Sequence, residues 1–347
     1  MKRTRLFALA GAAAGLTAGI VAERLAVKKR RTTDSEAGEG FGSRRGERTR
    51  MIDLGDGAQI YVEEVGPEVS SGAIFIHGSA LRTDLWHYQM EGLDARRLIF
   101  YDLRGHGLSQ PKGDTEFSVA TLAKDLEVII EDSKLDEVVL VGHSIGGMVA
   151  LELAASRPEW LSSKIKGLVL TNTTYRPPME TIAGGAALAH LERMTRRPFD
   201  LLGPHSARID RLRKIVKPSD ALFWTVSFSA FAPQASAKQV DFTYDMLAET
   251  PSDVIFDLFK AYRGFDVEDC LSDVTVPSLI IAGSRDRITL AEASEHMARV
   301  MPKAQLEILE DCGHMAMMER HDEFNQLVKS FLEDTLGPRP PKEKSRK

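Results

Sequence analysis

The chain has 347 residues, 43% of them hydrophobic and 27% charged, with a formal net charge of −5, a globular composition long enough for one large domain or two smaller ones. Basic residues gather at the two ends, so the body between them is acidic, and an acidic body argues against a nucleic-acid partner because phosphate binding needs a basic face. Two cysteines, Cys270 and Cys312, are too few for a disulfide framework and lack metal-ligand spacing, so no metal is expected.

The N-terminal MKRTR is followed by LFALAGAAAGLTAGIVA, residues 6–22, a run without a charge, and then by ERLAVKKRR. Such a run is about as short as a bilayer span can be and slightly long for a signal-peptide core. No small-x-small cleavage site immediately precedes the first polar residue, and Gly11, Gly15 and Gly19 fall on one helix face, as in helices that pack together in lipid. The expectation is a membrane partner: residues 1–31 as an uncleaved anchor, with a signal cleaved on secretion or a plain tail as alternatives. Lys and Arg are more numerous after the run than before it, which favours a cytoplasmic body. Residues 32–49 are polar, Gly-rich and without period, the pattern of a flexible linker, and residues 337–347 read as a disordered basic tail.

Between about residues 50 and 336, β-branched runs alternate with helical patterns. RMIDL and AQIYVEEV, parted by Gly-Asp-Gly, predict an antiparallel pair. AIFIHG, RLIFYDLRG, EVVLVGHS, GLVLTN, SLIIAGSRD and QLEILEDCGH are continuous apolar runs ending in polar residues or glycine, as strands buried on both faces of a parallel sheet read. Helices are expected over 115–133, 145–157, 289–300 and 320–334. This is the pattern of an α/β fold with a mostly parallel sheet flanked by helices, in which ligands bind beyond the carboxyl ends of the strands. The interval 173–272 is far longer than a crossover needs, and its helical stretches, prolines and aromatic residues (Phe223, Trp224, Phe228, Phe231) predict an inserted helical lid. Those aromatics either pack the lid on itself or form an apolar wall for substrate.

LVGHSIGGMVALELAA, residues 140–155, crowds glycines around Ser144 between a strand and a helix. A sharp strand-to-helix turn strains the serine and holds its hydroxyl outward, and it requires side chains to be nearly absent two residues before and after, where Gly142 and Gly146 stand. The helix that follows aims its N-terminal N–H groups at the same point. A serine hydroxyl needs a base in contact, and the base needs an orienting carboxylate. His314, after the last strand, and Asp286, after the preceding one, reach the same edge, in the chain order Ser144, Asp286, His314. Asp286 could instead be a helix cap, and His314 a turn residue. His321 and Asp273 compete for the two roles, but the first falls at a helix start and the second precedes its strand. The backbone N–H groups of Ser79 and Ile145 are the candidate oxyanion donors, while His77 is read as a brace for its loop and Trp86 as core.

HGSALRTDLW, YDLRGHGLSQP, VGHSIGGM, AGSRDRIT and EDCGHMAMMER, in this order and spacing, resemble the α/β-hydrolase superfamily over residues 50–336, nearest its lid-bearing esterase, cofactor-free haloperoxidase and epoxide-hydrolase-like branch. The resemblance implies an eight-stranded, mostly parallel sheet with a lid after the sixth strand. It further implies a nucleophile at Ser144, an acid at Asp286, a base at His314, oxyanion donors at Ser79 and Ile145, and a structural turn at Arg104, Gly105 and Gly107. Epoxide hydrolases and haloalkane dehalogenases of this fold have aspartate where Ser144 stands, which argues against their chemistry. The expected activity is cofactor-free cleavage of a small-molecule ester with an apolar group through an acyl-serine. Perhydrolysis, thioester or amide cleavage and C–C cleavage share the triad, and a ligand-binding receptor on a hydrolase scaffold is the alternative of another class.

Overall fold

Eight of the β-branched runs pair into one sheet. The computed structural model describes residues 23–93, 96–181, 205–215 and 220–338. The strands are β1 (Arg48–Asp53), β2 (Gln59–Val65), β3 (Ser71–Ile76), β4 (Arg97–Tyr101), β5 (Glu137–His143), β6 (Ile165–Thr171), β7 (Ser278–Gly283) and β8 (Ala304–Leu309). Their order across the sheet is β1-β2-β4-β3-β5-β6-β7-β8. β1 and β2 are antiparallel, β2 is antiparallel to β4, and every other neighbouring pair is parallel.

The central strands read as unbroken apolar runs because helices cover both faces. Ile74 and Ile76 face a core shared with the helices Val119–Ser133 and Ile145–Ser156, whereas Phe75 and Phe100 stack on the other face and meet Trp86 and the helix His321–Leu336. Ser118 caps the helix Val119–Ser133 by accepting the Thr121 N–H at 3.0 Å, which is why that helix starts four residues later than periodicity alone suggests. β8 departs from expectation. It is the sheet edge, and its alternating exposure shows one face open to solvent instead of two buried ones.

Chain order reverses at β3, whose neighbours β4 and β5 lie on opposite sides. Such a switch point opens a crevice at the carboxyl ends of the strands. Ser79 follows β3 and Ser144 follows β5, so both flank that crevice. The helices Pro178–Thr181, Ser206–Ile215, Asp220–Ala230, Ala237–Glu249 and Ser252–Arg263 lie between β6 and β7, in the interval expected to hold a lid; part of that interval lies outside the described residues. Phe223 and Phe231 are buried in packing, while Phe228 points outward under the guanidinium of Arg287.

The expectation of a membrane anchor requires correction. Among the described residues no helix is long and apolar enough to cross a membrane, and the run 6–22 lies outside them. Its continuation, helical over residues 23–32, lies against the folded body. Val27 is fully buried, Arg30 bonds to Ser227 and to Ala235 O, and Arg31 makes a bidentate pair with Asp241 at 2.8 and 2.7 Å. Arg30 and Arg31, part of the basic cluster that read as a membrane-flanking charge, are thus partnered by the protein itself, and neither the membrane location nor secretion after cleavage finds support in this segment. Residues 32–49, linker-like in composition, are also anchored: Phe41 stacks on Phe242 with ring centroids 5.1 Å apart, and Asp34 accepts the Lys238 N–H at 2.7 Å.

Candidate active site

The backbone turns sharply at Ser144, with φ 54° and ψ −120°, between β5 and the helix Ile145–Ser156. That strain is held by the surroundings: the Ser144 N–H donates to Thr171 O at 3.0 Å, and its carbonyl accepts the Thr173 hydroxyl at 2.7 Å. The flanking glycines are required by space. A Cβ on Gly142 would stand 2.4 Å from Gly146 O, and one on Gly146 would stand 2.1 Å from Ile76 O.

Asp286 and His314 meet behind this turn. His314 Nδ1 lies 2.8 Å from Asp286 Oδ2, and both side chains are buried. The same oxygen accepts Asn172 Nδ2 and the Thr289 hydroxyl, each at 2.8 Å, while Oδ1 accepts the N–H groups of Ile288 at 2.8 Å and Thr289 at 3.0 Å. Asp286 is therefore a turn cap and a partner of His314 at once. Burial works against its charge, yet the attraction of His314 and these hydrogen bonds outweigh burial and hold the carboxyl below its ordinary value. With Nδ1 committed to Asp286, Nε2 is the ring atom left to act; among the described residues it has no hydrogen-bond partner.

Ser144 Oγ makes no hydrogen bond to His314 among the described residues. The two loops are nevertheless adjacent: the ring of His143, next to Ser144, lies 4.8 Å from that of His314, and His143 Nε2 donates to His314 O at 2.9 Å. Burial, followed by the proximity of His314, lowers the His143 pKa to about 3, so it remains a neutral brace. Catalytic hydrogen bonds commonly tighten only when substrate binds.

Neither the Ser79 N–H nor the Ile145 N–H finds a hydrogen-bond acceptor among the described residues. The loop carrying Ser79 is fixed by two neutral histidines. His77 Nδ1 donates to Gly78 O at 2.8 Å while Nε2 accepts the Leu103 N–H, and His106 Nε2 accepts the Ala80 N–H. The Ser79 hydroxyl bonds to the phenol of Tyr262 from the insertion. Burial raises that phenol to about 12, which keeps it protonated. The Arg104 carbonyl accepts from His106 Nδ1 at 3.0 Å, while the Arg104 side chain forms a buried bidentate pair with Asp125. Of the competing residues, His321 stacks on Tyr88 with ring centroids 3.8 Å apart, and Asp273 ends the 3-10 helix before β7.

Asn172, His143 and Tyr262 carry no signal in the sequence and are brought in by tertiary packing, whereas Thr289 was expected only as the start of a helix that Asp286 could cap.

Comparison with known proteins places this architecture. A sequence model of the alpha/beta hydrolase fold matches residues 74–321. The 3-oxoadipate enol-lactonase 1 of Acinetobacter baylyi is 24% identical over 81% of this chain and 96% of its own length. The non-heme chloroperoxidase CPO-A1 of Kitasatospora aureofaciens is 28% identical over 80% and 97%. Among solved structures, an esterase from Exiguobacterium antarcticum superposes with a TM-score of 0.66 at 24% identity, covering 82% of this chain and all of its own. The match spans most of the chain and includes Ser144, Asp286 and His314, and this protein belongs to the alpha/beta hydrolase fold family.

Proposed function

We propose that this protein is a serine hydrolase that cleaves small carboxylic esters, cyclic esters included, through an acyl-serine. The observation that supports this best is the buried, multiply bonded Asp286 carrying His314 beside a strained serine with two unpaired N–H groups near it. In this reading His314 Nε2 removes the Ser144 proton as Oγ attacks the carbonyl carbon. The oxyanion is held by the N–H groups of Ser79 and Ile145. Its collapse expels the alcohol, which takes the proton from His314. Water, activated by the same nitrogen, then attacks the acyl-serine and releases the acid and the free hydroxyl. Asp286 fixes the imidazole tautomer and stabilises the imidazolium. None of these steps requires a metal or organic cofactor. The enol-lactonase relative favours an ester-type substrate, and the chloroperoxidase relative keeps perhydrolysis within reach of the same residues.

The test is steady-state turnover of a graded set of aryl esters and small lactones by the protein and by Ser144→Ala. The reading expects turnover that falls on the order of 10⁴-fold or more in the variant. Equal turnover by both proteins overturns it.

A further inference from the structure

Glu319 ends the short helix Ala316–Glu319, five residues after His314. Its Oε1 accepts the backbone N–H groups of Gly313 at 3.0 Å and Met315 at 3.2 Å, the two residues on either side of His314. Its Oε2 accepts the Ala232 N–H at 2.7 Å, from the insertion. The His314 N–H itself donates to Ala230 O at 2.8 Å. Gly313 allows this close seam, since a Cβ there would stand 2.7 Å from Ala232 N.

We infer that Glu319 is a positioning residue: by accepting three backbone N–H groups it fixes the His314 loop to the segment Ala230–Ala232, so that seating of the insertion and orientation of the base are one event. The inference rests on the reading of Ser144 and His314 proposed above. A carboxylate that only tied down its own loop would have no reason to reach the insertion; this one divides its two oxygens between the two bodies. Charge-assisted bonds of this kind are stronger and more directional than neutral ones. Burial, opposed by the three N–H donors and abetted by Asp286, pushes the carboxyl up to about 7, so the arrangement costs stability at neutral pH. Groups held at such a cost gather where geometry matters to chemistry.

The test compares Glu319→Gln and Glu319→Ala with wild type on a short-chain aryl acetate, with turnover expressed per serine titrated by an aryl fluorophosphonate. Titration counts only molecules with a competent site, so a loss of folded protein leaves the per-site rate unchanged. A misplacement of about 1 Å in a catalytic group costs on the order of 10²-fold. The expected result is a fall in kcat per site of about that size for Glu319→Ala and a partial rescue in Glu319→Gln, which keeps one carbonyl oxygen. KM should stay within about threefold, because substrate contacts are untouched. Wild-type kcat per titrated site in both variants, or an effect confined to KM, overturns the inference. Ser144→Ala, which has no serine to titrate and is measured per mole of protein, separates the two levels: if it retains turnover, the proposed function fails, and if it is inactive while both Glu319 variants match wild type per titrated site, only the positioning role fails.

Discussion

Arg30 Nη1 lies 3.0 Å from Ser227 Oγ, joining the N-terminal segment to the insertion across almost two hundred residues of chain. The same guanidinium sits 5.3 Å from the Phe223 ring centroid and 5.5 Å from that of Trp224. Farther along, Phe41 packs against Phe242 of the insertion and against His87 and Tyr88 of the body. Residues 23–47 therefore brace the insertion on the fold. Phe41→Ala should destabilise by about 2 kcal/mol and Arg30→Ala by about 1 kcal/mol, from lost apolar burial and a lost cation–π and hydrogen-bond contact. Urea unfolding measures both. Values unchanged in the two variants would mean that this segment does not hold the insertion.

Cys312 stands two residues before His314, close enough that an adduct would disturb the base, but it is completely buried. Burial, with the carboxylates of Glu319 and Asp286 nearby, pushes its thiol well above the ordinary range, and thiols react as thiolates. Native protein treated with a bulky maleimide at neutral pH should label at Cys270 only and keep its activity. Mass spectrometry that finds rapid labelling of Cys312, with activity lost in parallel, would show that this loop opens.

Glu319 also sets a pH dependence of stability. Its carboxyl is raised from an ordinary 4.5 to about 7, mainly by burial, so the folded state binds a proton more tightly than the unfolded state. The stability this contributes is complete below about pH 4.5 and is lost as pH rises through about 7. Asp286 and Cys312 lie near it, and Arg30, Asp34, Glu36, Asp311 and Arg320 line the same pocket; the substitution leaves all of them in place. The free-energy difference between wild type and Glu319→Gln should therefore shift against wild type by about 2.5 kcal/mol from pH 5 to pH 8. Asp102, raised to about 7, and His106, lowered to about 4, titrate in both proteins and cancel in the difference. A difference that does not change with pH would contradict the assignment.

The sheet was legible because its central strands are buried on both faces, which leaves continuous apolar runs such as AIFI and VVLV in the chain. The elbow was legible for a steric reason: Gly142 and Gly146 stand where no Cβ fits. Asp286 and His314 could be placed at one edge because each follows a strand of the parallel sheet, and the structure brings them to 2.8 Å. What stayed hidden depends on single long-range contacts. ERLAVKKRR has the composition of a membrane flank, yet Val27, Arg30 and Arg31 each find a partner in the insertion or the core. Glu319 reads as one more surface acid at a helix boundary, and only the folded chain brings Ala232 to it. Tyr262 lies in an amphipathic helix, where nothing in the periodicity marks it as the partner of Ser79.

The most direct measurement is the site and rate of covalent capture by an aryl fluorophosphonate, read by peptide mass spectrometry. If a buried imidazole, oriented by a carboxylate, makes one alcohol reactive, the adduct maps to Ser144 alone, and its rate falls on the order of 10⁴-fold in His314→Ala. An adduct on another residue, or capture of Ser144 at an unchanged rate without the histidine, would contradict the account.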